Sequence, residues 1–108
     1  AGHITAGQIL QMATIRGAEA LGIDSIVGSL VVGKEADLVV IDPDHPALLG
    51  GGDAIQQVVY SAGPEHVQSV YVAGEPKVLD GRLVDWDMDE LARQVRASVT
   101  RVASRAFA

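Results

Sequence analysis

Apolar positions along the chain follow two periods, that of a helix at both ends and that of a strand between. From Thr5 to Gly22, the residues Ile9, Leu10, Ala13, Gly17, Ala20 and Leu21 fall on one arc of a single predicted helix. Thr5 with Gln8 three residues later spells a capping box, and Gly22 supplies the stop. Met12 and Ile15 lie off that arc, so the helix is apolar on two sides, the pattern of a helix covered by two layers.

The middle of the chain reads as short strands. Residues 29–32 are β-prone, Gly33-Lys34 turns, and residues 36–41 form a near-continuous apolar run, expected as a strand buried on both faces. Asp42-Pro43-Asp44-His45-Pro46 breaks it, and Gly50-Gly51-Gly52 prolongs the loop. Asp53 caps a helical turn over residues 54–60. Residues 67–72, 77–79 and 82–84 are strand-like, separated by a turn over 73–76 and by the hairpin signal Asp80-Gly81. Asp87 and Glu90 then form a second capping box, with Trp86 and Leu91 in staple positions. The helix they open carries one stripe: Met88, Leu91, Val95, Val99, Val102 and Ala106. Helix, strands, helix makes the fold class α+β.

Composition narrows the function. Hydrophobic residues are 48% and charged residues 20%, so the chain is globular rather than disordered. Only four residues are aromatic (Tyr60, Tyr71, Trp86, Phe107), leaving Val, Leu, Ile and Ala to build any core. A net charge of −6 disfavours nucleic acid and anionic membrane. The absence of cysteine excludes disulfides and thiolate metal sites, and no run approaches the ~20 apolar residues of a membrane span.

Local chemistry is sparse. Gly28-Ser29-Leu30-Val31-Val32-Gly33-Lys34 spells seven positions of a phosphate-binding P-loop, but Glu35 stands where Ser or Thr should hold Mg²⁺. A carboxylate there repels phosphate, and a strand follows where a helix is needed, so the motif is rejected. His3, His45 and His66 are the only histidines, and no two have the spacing that puts a pair of imidazoles on one metal. They are expected on the surface or in loops. Asp42, Asp44 and His45 cluster between prolines, which is turn chemistry. No serine lies in a nucleophile elbow. Arg93, Arg96, Arg101 and Arg105 follow Asp89 and Glu90 along the last helix, as the helix dipole favours. No catalytic, cofactor-binding or metal-binding residue is assigned to this chain.

Whole phrases nevertheless resemble the amidohydrolase superfamily, in its branch of triazine hydrolases and methylthioadenosine/S-adenosylhomocysteine-type deaminases. Met12-Ala13-Thr14-Ile15-Arg16-Gly17-Ala18, with Ala20-Leu21-Gly22, is similar to the family's last barrel helix. Gly28-Ser29-Leu30 and the phrase from Gly33 through Glu35-Ala36-Asp37-Leu38 to Asp42 match its entry into a small β-sandwich. Val58-Val59-Tyr60-Ser61-Ala62, residues 67–74 and residues 78–83 follow its closing strands.

The resemblance implies a parent enzyme with a (β/α)8 barrel and a zinc or iron ion held by an early His-x-His pair, two later histidines and an aspartate. Such an ion lowers the pKa of bound water, so that hydroxide attacks a ring carbon bearing an amino or halide group. None of those ligand positions falls in this chain. The expected organisation is residues 1–24 as the last barrel helix, 25–86 as the C-terminal strands of the composite sandwich, and 87–108 as a C-terminal helix. The chain is thus expected to be a C-terminal structural fragment, inactive alone, of a cytoplasmic enzyme that hydrolyses C–N or C–Cl bonds, deaminating a heteroaromatic amine. Its expected partners are the parent's barrel and N-terminal strands, and other copies through exposed edges. The alternative is an autonomous small binding or oligomerisation module.

Overall fold

Thr5 opens the first helix. Its hydroxyl accepts from the Gln8 amide at 3.2 Å while the Gln8 carboxamide accepts from the Thr5 amide at 2.9 Å. The computed structural model, which describes residues 2–108, has two helices where periodicity predicts one: α1 (Ala6–Ala13) and α2 (Ile15–Leu21). The break is at Thr14, whose hydroxyl donates to the Leu10 carbonyl at 2.7 Å; back-bonding of this kind bends helices. Gly17 leaves room for the bend, since a β-carbon there would stand 3.1 Å from the Met12 carbonyl oxygen. α2 stops at Gly22 (φ 71°), whose N–H returns to the Ala18 and Glu19 carbonyls.

Residues 29–32 do not form the expected strand. Gly28 and Gly33, at φ 91° and 95°, turn the chain twice. The Glu35 amide closes the loop on the Ile26 carbonyl at 2.8 Å, and the Lys34 ammonium donates to Ser29 Oγ at 2.9 Å and the Val27 carbonyl at 3.3 Å. A β-prone run with no neighbouring strand has nothing to ladder with, and Val32 is left fully exposed. The loop is pinned where Gly28 presses on α2: a β-carbon there would lie 2.7 Å from Ala18 Cβ and 3.1 Å from Ile15 Cα. Ile15, off the apolar arc, is covered by this contact; Met12 stays exposed.

The sheet is antiparallel throughout, in the order β1 (Leu38–Ile41), β2 (Val67–Val72), β3 (Glu75–Leu79), β4 (Arg82–Leu83). Leu38 lies opposite Tyr71, and Val78 pairs with Val70 on one side and Leu83 on the other. Ala73-Gly74 and Asp80-Gly81 are two-residue turns with positive φ at both positions, the geometry that suits strand twist. The turn expected over 73–76 is therefore shorter, and Glu75 and Pro76 belong to β3. The entry to β1 is tied to this turn: the Asp37 carboxylate accepts from the Ala73 amide at 2.7 Å, and the Gly74 amide donates to the Ala36 carbonyl at 3.0 Å. Burial of β1 on both faces is not observed, since Val39 is 56% exposed. Among the described residues β1 has a neighbour along one edge only.

Two imidazoles organise the crossing from β1 to β2. Asp42 turns the chain by accepting from the Asp44 amide, and His45 Nδ1 accepts from the Ala47 amide at 3.2 Å. This caps a 3-10 turn, Pro46–Leu48, that buries Leu48. The Leu48 carbonyl receives Gln57 Nε2 at 2.9 Å from α3 (Ala54–Tyr60), which packs on α1. His66, expected at the surface or in a loop, is only 3% exposed: it ends a second 3-10 turn, Pro64–His66. Its Nδ1 accepts from the Gly63 amide at 2.9 Å, its carbonyl accepts from the Asp42 amide at 2.9 Å, and its ring meets His45 edge-on at 4.3 Å. The ring is buried because a loop remote in sequence closes over it.

Finally α4 (Met88–Ala106) starts at Asp87, whose carboxylate accepts from the Asp89 and Glu90 amides. The reciprocal half of the predicted capping box is not made: the Glu90 carboxylate instead engages Arg93 and Gln94. No residue of α4 is buried, and Trp86 is 59% exposed. Across the described residues, Ala18 and Leu48 are the buried apolar side chains. The accessible surface is 8310 Å², where a self-contained folded chain of this mass exposes about 5,700 Å². The radius of gyration is 19.0 Å against about 13 Å for a compact domain of this length.

Two glycines at nearly the same φ separate backbone strain from close packing. Gly33 has open space around it, so Gly33→Ala costs about 1 kcal/mol of conformational strain. Gly28→Ala adds a clash with Ala18 and costs about 3 kcal/mol in all; urea unfolding of the two variants measures the difference. His66→Ala strands the Gly63 amide and costs about 1–3 kcal/mol, whereas His66→Asn, with an acceptor at the same branch point, recovers at least half of that. Hydrogen exchange at Gly63 reports which occurs.

Candidate functional site

The apolar arc of the first two helices does not meet the sheet directly. Leu10 and Ala13 of α1 and Leu21 of α2 face Leu38 and Ile41 of β1 and Val70 of β2 across an open groove of about 1140 Å³. The 28–30 loop forms one end, held there by the Gly28 contact. Polar groups on the lining are few: Thr14 and Ser29 hydroxyls, the Tyr71 phenol and the Asp37 carboxylate. Thr14 and Asp37 are committed to backbone partners. The groove thus presents aliphatic surface and a strand edge, with no pair of groups placed for proton transfer.

Elsewhere two lysines make structural contacts. Lys77 is held above the usual lysine range by its hydrogen bond to Glu75 and by the charge of that carboxylate, with Asp85 adding to it. This is an exposed surface pair. Lys34, the last residue of the P-loop-like phrase, donates within its own loop, and the next element is strand β1 rather than a helix.

The histidines do not fit the metal that the family resemblance implies. His45 and His66 approach each other, but each uses Nδ1 to accept a backbone amide, and His3 lies apart on the exposed start of the chain. Glu65 is 3.8 Å from His66 Nε2 and is the nearest carboxylate to it in an ion-pair contact. Among the described residues no three His, Asp or Glu side chains converge. A zinc or iron centre needs three or four such donors. The feature that residue patterns do not reveal is the buried contact between His45 and His66. The Gly63-Pro64 step marks a turn, but nothing local shows that the turn is covered.

The amidohydrolase family model matches residues 1–77. The chain is 37% identical over 92 residues to the 5-methylthioadenosine/S-adenosylhomocysteine deaminase of Moorella thermoacetica, covering 85% of this chain and 22% of that enzyme. It is 34% identical over 105 residues to the 5'-deoxyadenosine deaminase of Methanosarcina acetivorans, covering 97% of this chain and 24% of the relative. Among solved structures, an adenosine deaminase from Xanthomonas campestris with bound zinc superposes with a TM-score of 0.82 at 35% identity, over 93% of this chain and 23% of that one. Atrazine chlorohydrolase TrzN from Arthrobacter aurescens, complexed with zinc, superposes with a TM-score of 0.75 at 27% identity, over 86% and 20%. The chain thus spans between a fifth and a quarter of the length of these relatives. With a family model matched over residues 1–77 and a fold that superposes on these enzymes, this chain belongs to the amidohydrolase family.

Proposed function

We propose that the chain is the C-terminal structural portion of a metal-dependent amidohydrolase that deaminates an adenosine-type nucleoside. In this reading residues 1–24 supply the last helix of a (β/α)8 barrel, residues 25–86 the C-terminal strands of a composite β-sandwich, and residues 87–108 a C-terminal helix. The rest of the enzyme contributes the metal ligands and the substrate pocket, and this portion alone is inactive. The observation that carries the reading is identity above 30% with adenosine-type deaminases along most of the chain. Identity with the triazine hydrolases is lower, which favours cleavage of a C–N over a C–Cl bond.

The groove supports the structural role. It is apolar and lined by β1, whose outer edge has no strand beside it among the described residues, so a strand or helix of the parent can fill it and pair with that edge. The surplus surface of the chain has the size expected when a piece is lifted from a larger core. A cytoplasmic location belongs to the same reading: the sequence has no cysteine, and so no dependence on an oxidising compartment. No helix among the described residues is long and apolar enough to cross a membrane.

The test is complementation. The Methanosarcina acetivorans deaminase, truncated of the quarter that this chain matches, is co-expressed with the chain. Co-purification and release of ammonia from 5'-deoxyadenosine are expected, with neither part active alone. Ammonia release by the chain alone in the presence of zinc, or failure of the two parts to associate, would overturn the proposal. Leu38→Asp places an unpaired carboxylate on the groove floor, which costs several kcal/mol once covered, so co-purification is lost by at least about a hundredfold in affinity.

A further inference from the structure

We draw no further inference here: the strongest candidate, the side-chain cluster of His45 and His66 where the β1–β2 crossing closes over the Pro64–His66 turn, belongs to the fold already described, since each ring spends Nδ1 on a backbone amide and, among the described residues, no third His, Asp or Glu converges on the pair to complete a metal site.

Discussion

Val39 sits in the middle of a hydrogen-bonded strand and is still more than half exposed. The reason is the constraint that governs the whole molecule: it carries more apolar surface than it can cover by itself. With Ala18 and Leu48 as its buried apolar side chains, the described chain has contacts between elements but no common centre for them. What keeps its parts together is a set of short-range devices. The Gly28 approach pins a loop to α2, Asp37 ties the β2–β3 turn to β1, and the paired imidazoles hold the crossing loop over the start of β2.

These devices explain why the groove is open yet well formed. Each wall is braced by its neighbours: the helical wall by α3 and the Gly28 loop, the sheet wall by the β2–β3 turn and the His66 turn. A docking surface braced in this way loses little conformational freedom on being covered, so more of the hydrophobic gain is retained.

Features set by near neighbours in sequence were legible from residue patterns. The Thr5–Gln8 cap, the stop at Gly22, the Asp53 turn and the Asp80-Gly81 hairpin all depend on residues within one turn of each other. Features set by distant neighbours were not. The bend at Thr14 follows from which acceptor its hydroxyl finds, and the apolar arc runs straight through it. Residues 29–32 have strand propensity but no strand to pair with, and burial of β1 was inferred from a hydrophobic run that presumes a cover on both sides. The phrases that resemble the family hold residues with local structural work, the positive-φ turn glycines Gly28 and Gly33 and the aspartate Asp37 that anchors a turn. The groove could not be read in the sequence, since residues 22–37 separate its helical wall from β1, and the whole crossing separates β1 from β2 within the other wall.

The two turns with positive φ on consecutive residues set how much chain entropy each strand pairing costs. Ala73-Gly74 and Asp80-Gly81 join strands that lie next to one another in sequence, so the β2–β3–β4 meander closes only short loops. Short loops lose little chain entropy and form early, on the microsecond scale of hairpins. β1 must instead bridge the long excursion through Leu48 and α3 before it reaches β2. By loop length alone the meander closes at the least entropic cost, and the strand whose outer edge has no neighbour among the described residues closes at the greatest.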